Sequence, residues 1–142
     1  ALLSTEWGEG LAKVIGPKTH EAMGEAYLYW ANTFAAADDP VDPLAKTNFP
    51  STMWQRMTEA AERHNDPGAF TALIGYEWTS GPNGNNLHRN IIFRDGKDLA
   101  DQVVPFSAYD SEDPEDLWAW MADYEAATGG QDAHAENIHQ LF

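Results

Sequence analysis

The chain contains no cysteine. Disulfides, zinc–thiolate centres and thiol nucleophiles are therefore excluded. It is also poor in positive charge: 8 lysines and arginines stand against 23 aspartates and glutamates, a formal net charge of −15. Such a surface repels phosphate backbones and anionic membranes, so neither nucleic acid nor membrane is an expected partner. No apolar run approaches the roughly 18 residues that a membrane span requires. Internal repeats and low-complexity tracts are missing as well. So are the Gly-x-Ser-x-Gly elbow, the P-loop and the Rossmann fingerprint.

What remains is enough for a packed core. The 142 residues are 43% hydrophobic and 12% aromatic, with 6 tryptophans. That amount of apolar material argues against wholesale disorder and fits one domain or part of one. The sequence opens at Ala1, with no basic-then-apolar signal pattern behind it. A processed or truncated polypeptide fits that start. The surplus of acids has two readings: a solubilising surface, or carboxylates that hold divalent cations.

Hydrophobic spacing divides the chain into a helical region with a linker over residues 1–50, an α/β segment over 51–131, and an unassigned tail over 132–142. Met23, Tyr27, Trp30 and Phe34 form one helical stripe between Pro17 and about Ala36. Asp38-Asp-Pro-Val-Asp-Pro43 cannot continue that helix. Ser51 is a suitable N-cap for a second helix, with Met53, Trp54, Met57, Ala60 and Ala61 inward. Asn65-Asp-Pro-Gly68 stops it. Phe70 to Trp78 reads as a strand buried on both faces, Ser80 to Asn86 as a loop, and Leu87 to Arg94 as a second strand. The short link favours antiparallel pairing of the two. Asp95-Gly96 is a turn, and Val103 to Tyr109 is irregular, with a short strand at its start. A third helix begins at Asp113-Pro114 and ends at Gly129-Gly130, with Leu117, Trp118, Met121 and Tyr124 inward. The rings of Trp30, Trp118 and Trp120 lie in helical stripes and are expected in the core.

The chemistry concentrates in Ala72-Leu-Ile-Gly-Tyr-Glu77-Trp-Thr79 and in Asn85-Asn-Leu-His88-Arg-Asn90. A carboxylate inside an apolar strand is costly unless it is paired or bound to a cation. A glutamate and a histidine from neighbouring strands are a plausible pair of metal ligands. Each also has a plain structural reading, Glu77 as the partner of strand-end amides or of Arg89, and His88 as a satisfied strand histidine. His134, Glu136 and His139 suggest a second cluster, but on a helix the two histidines would point about 140° apart.

The runs Asn65-Asp-Pro-Gly-Ala-Phe-Thr71, Gly75-Tyr-Glu-Trp-Thr79 and Asn85-Asn-Leu-His-Arg-Asn90 resemble a large bacterial family of unassigned function. Pro105-Phe-Ser107 and Asp110-Ser-Glu-Asp-Pro-Glu-Asp-Leu-Trp118 extend the likeness, which runs from about Trp54 to Gln131. That family in turn resembles PHP (polymerase and histidinol phosphatase) domains, which are metal-dependent phosphoesterases. The resemblance implies an α/β fold: a portion of a distorted β/α barrel, with two adjacent strands packed against amphipathic helices. It implies Glu77 and His88 as ligands of a divalent metal such as Mn, Zn or Fe. Arg89, Asn86 and Asn90 would then serve a small anionic substrate, and an exported, periplasmic setting would fit. A His-x-His strand, a Thr-Asp-His motif and a later Asp-x-His pair of that pattern are missing here. The chain accordingly resembles the middle of such a protein. The expectation is part of a metal-dependent hydrolase of phosphate-type esters, and the competing one is a non-catalytic acidic α/β module that serves a structural or partner-binding role.

Overall fold

A computed structural model of the chain describes residues 2–35, 42–82, 85–129 and 138–141. The elements in order are α1 (Glu6–Ile15), α2 (His20–Ala35), α3 (Phe49–His64), β1 (Ile74–Ser80), β2 (Leu87–Phe93), α4 (Lys97–Ala100), α5 (Pro114–Thr128) and β3 (Ile138–Leu141). The architecture is mixed α/β. Two compact units divide it, Ala1–Pro50 and Ser51–Phe142.

The first unit is built on a helical hairpin. Thr5 caps α1, its hydroxyl accepting from the Gly8 amide at 3.0 Å. Hydrophobic spacing starting at Pro17 leaves this helix out, although Thr5 followed by Glu6 and Glu9 is an N-terminal signature. Trp7 joins the two helices. Its indole N–H donates to the Thr33 hydroxyl at 3.1 Å, and its ring lies 6.0 Å from that of Tyr29. A Cβ on Gly10 would lie 2.3 Å from the Tyr29 hydroxyl, so a side chain there would displace that ring. On α2 the buried side is Ala22 and Ala26, which share a helix face with Tyr29 and Thr33. Met23, Tyr27 and Trp30 are instead 61%, 64% and 46% exposed. The inward stripe is therefore rotated by one residue from the expected one. The partners on α1 decide this face: Trp7 engages Tyr29 and Thr33, and Ala22 and Ala26 lie in line with them.

α3 starts at Phe49, two residues before the expected cap, with the Thr47 hydroxyl accepting from the Phe49 amide at 3.2 Å, and from Ser51 onward it belongs to the second unit. Its inward residues are Trp54, Thr58 and Ala61. Met53 and Met57 face out. Thr58 is fully buried, and its hydroxyl donates to Asp101 at 2.6 Å. Asp101 also pairs with Lys97, and the Trp54 indole donates to the Ala100 carbonyl at 2.9 Å. These contacts moor α4, which the sequence reading did not anticipate, to α3. Reciprocal bonds between Asp66 and Phe70, with Gly68 at φ 97°, close the turn after α3.

β1 begins at Ile74, not at Phe70. Phe70 and Leu73 are exposed and precede the pairing. β1 and β2 are antiparallel, with Ile74 opposite Phe93, Glu77 opposite Asn90 and Thr79 opposite His88. β3 adds an antiparallel strand at the other edge of β2. Burial on both faces of β1 is not found: Ile74, Trp78 and Ser80 are buried, while Glu77 and Thr79 are exposed. Among the described residues the strands form an open antiparallel sheet and close no barrel. Val103 to Tyr109 contains no strand, although Val103 and Phe106 pack on the core.

α5 follows the expectation closely. Asp113 accepts from the Glu115 amide at 2.9 Å, Pro114 opens the helix, and Gly129 ends it. Leu117 and Tyr124 are buried, and Met121 packs on the core. Trp118 is 49% exposed, as Trp30 is within the first unit at 46%, whereas Trp120 packs against this core. Phe93 is the hub. Its ring meets Trp54 at 5.2 Å and Tyr124 at 5.2 Å, with Tyr76 and Trp120 slightly farther.

Two consequences can be measured. Phe93→Ala should cost about 3–5 kcal/mol, read as a lower urea midpoint, because no neighbour can refill a site touched from three elements. Burial raises the Tyr76 and Tyr124 phenols above their ordinary value, with Asp95 adding to the shift at Tyr124. An unfolded tyrosine ionises near pH 10 while the folded ones stay neutral. Stability should hold below about pH 10 and fall as pH rises above it. The fall should be shallower in Tyr124→Phe when melting temperature is followed against pH.

Candidate functional site

Strand alternation decides which side chains meet. In an antiparallel pair, residues 77 and 79 of β1 share a face with 88 and 90 of β2. Glu77, Thr79, His88 and Asn90 are all exposed, while the opposite face carries Ile74, Trp78, Ile91 and Phe93 into the core. The polar cluster thus sits on the outer face of a hairpin whose inner face is locked by packing.

The cluster converges on the His88 ring. Glu77 Oε1 lies 3.4 Å from His88 Nδ1, and Thr79 Oγ1 lies 3.0 Å from the same nitrogen. The side chains of His88 and Glu77 remain 49% and 56% exposed. Solvent can therefore stabilise the carboxylate, and the burial cost that draws attention to Glu77 in the sequence is not incurred. The acid stands out in sequence because its strand is apolar, but its own side of the sheet is wet.

The other singled-out residues fall in different places. Asn90 is directly across from Glu77 and on the same face. Asn86 is exposed and immediately precedes β2. Arg89 takes the opposite face from His88, by the pleat, and its Nη1 donates to the His88 carbonyl at 2.8 Å. It forms no ion pair with Glu77. His134 and Glu136 lie outside the described residues, and His139 occupies the position in β3 opposite Ile92. Among the described residues no group of three or more His, Asp or Glu side chains is arranged to hold a metal ion. An open depression lined by Glu62, Gly96, Lys97, Asp98 and Leu99 lies at α4 and does not include the Glu77–His88 cluster.

Thr79 is the residue that reading the sequence for chemistry overlooked. A signal was present: it stands two residues from Glu77, so the same strand period that exposes one exposes the other.

The fold and the cluster define a mixed α/β protein with a carboxylate–hydroxyl–imidazole group on one sheet face. The chain belongs to DUF3604, a family of proteins of unknown function, whose family model matches residues 1–139. The match extends well beyond the 54–131 span over which the motifs are recognisable by eye, and takes in the helical hairpin. No curated protein and no solved structure matches the chain.

Because the pair is exposed, Glu77→Ala should alter folding stability by no more than about 1 kcal/mol. A melting-temperature drop comparable to that of Phe93→Ala would show that Glu77 is a structural element of the hairpin.

Proposed function

We propose that this chain supplies Glu77 and His88 to a divalent-metal centre of a PHP-like hydrolase, acting on phosphate-type or related anionic esters. In that reading the sheet is a portion of a distorted β/α barrel. The observation that carries the proposal is the convergence of a carboxylate and an imidazole, 3.4 Å apart, on the exposed face of a hairpin whose other face packs on the core. The donor chemistry suits the group: one carboxylate oxygen and one imidazole nitrogen match the preferences of Mn, Zn or Fe. The count is short, because a catalytic zinc-type site usually takes three protein ligands. A bound divalent ion would supply an activated water and neutralise charge on the ester.

The chain's own residues have distinct parts. Glu77 and His88 would hold the ion. Asn90 and Asn86 present side-chain amides on or beside the same face, where they can donate to substrate oxygens. Arg89 takes the opposite face and donates to the His88 carbonyl at 2.8 Å, beside the residue that carries the imidazole. The acidic surface disfavours a nucleic-acid substrate.

Calorimetric titration with Zn or Mn tests this. Wild type should bind weakly, and Glu77→Ala and His88→Ala should each reduce affinity by about tenfold or more. With two assigned ligands, hydrolysis of p-nitrophenyl phosphate or sulfate by this chain should stay near background. Robust turnover abolished by Glu77→Ala would mean that the site holds more ligands than these. Binding unchanged in both variants would favour the non-catalytic module.

A further inference from the structure

We infer that one buried water molecule, bound between Trp78 Nε1 and Ser80 Oγ, is a fixed part of the fold at the C-terminal end of β1. The two residues stand two apart on the strand, so both side chains enter the core face. Trp78 is 1% exposed and Ser80 2%. Among the described residues neither the indole N–H nor the hydroxyl has a hydrogen-bond partner. Buried polar groups of folded proteins are almost always satisfied, by protein or by ordered water. The nearby protein groups are committed elsewhere. Glu112, the acid that reaches this end of the strand, gives Oε1 to the Gly81 amide at 3.1 Å. Thr79, between the two residues, turns to the His88 ring on the other face.

Which occupant fits follows from charge and size. An indole can only donate, whereas a hydroxyl donates or accepts. The bridging group must accept from Trp78 and then either donate to Ser80 or accept from it. Water can do both. An oxyanion could accept from both, and Arg89 stands across from Trp78 on the same face. An anion, however, would give up its hydration in a site without exposed surface, close to the Glu112 carboxylate. Burying an ion costs far more than immobilising one water. Immobilising a water in turn costs less than leaving a buried donor unmet. Both comparisons select water. One molecule is enough: residues two apart on a strand lie about 7 Å from each other at Cα, and two hydrogen bonds to a single water span about 5.5 Å between the atoms they join. The site is on the opposite side of the sheet from Glu77 and His88, so it does not depend on the proposed metal centre.

Two measurements on the full chain test this. A crystal structure at a resolution that shows ordered solvent should place one water within about 3.2 Å of both Trp78 Nε1 and Ser80 Oγ. The other measurement is the sign of a stability change. With a water on the hydroxyl, Ser80→Ala removes a satisfied hydrogen bond and should lower the melting temperature by about 2–4 °C. Were the hydroxyl unmet, the same substitution would relieve a buried polar group and leave the melting temperature unchanged or higher. That outcome would overturn the inference, as would a protein oxygen on the indole or a dry site in the crystal. Inorganic sulfate, titrated into the 15N-labelled chain, should not move the indole signal that disappears in Trp78→Phe. A saturable shift of that signal would replace the water with an anion.

Discussion

The contact on which the second unit depends is the ring of Phe93 against Trp54 and Tyr124. Phe93 is 2% exposed at the end of β2, and rings from α3, β1 and α5 meet on it. This fixes which face of β2 is inward. Ile91 follows Phe93 inside, so His88 and Asn90 are turned out by strand alternation. Pairing then imposes the same parity on β1, where Trp78 is inside and Glu77 and Thr79 are outside. The polar cluster is thus held in place by aromatic packing on the far side of the sheet.

A second anchoring relation is polar. Thr58 is wholly buried in α3, and its hydroxyl donates to Asp101, which also pairs with Lys97. Burial of a hydroxyl and of part of a carboxylate is tolerable here because each satisfies the other. With the Trp54 indole bond to Ala100, it ties the segment after β2 to α3. The hairpin is therefore held at its Phe93 end by rings and just beyond it by hydrogen bonds.

Much of this was legible in the sequence, for local reasons. Asp113-Pro114 and the glycine at 129 carry cap chemistry that acts without tertiary context, and α5 has these limits. The two strands and their antiparallel pairing follow from the short connection. The errors arise where neighbours decide. Phe70 and Leu73 are apolar, yet the turn closed by Asp66 leaves both in solvent. Met23, Tyr27 and Trp30 form a convincing stripe, but the contacts of Trp7 with Tyr29 and Thr33 turn the neighbouring face, with Ala22 and Ala26, inward. At the site, Glu77 and His88 were found from residue type and motif. Thr79 was not, because its relation to His88 exists only once the register is set.

The connection between the strands, Gly81 to Asn86, has a different standing from the strands themselves. Length changes there leave both inner faces seated on the core, so an evolving lineage is free to remodel this segment and alter what approaches the cluster. A single residue gained or lost inside β1 or β2 has no such freedom. It would send Glu77 or His88 toward the aromatic core and bring an apolar residue to the surface. Variation among relatives is accordingly expected to fall as whole-loop changes between fixed strand lengths.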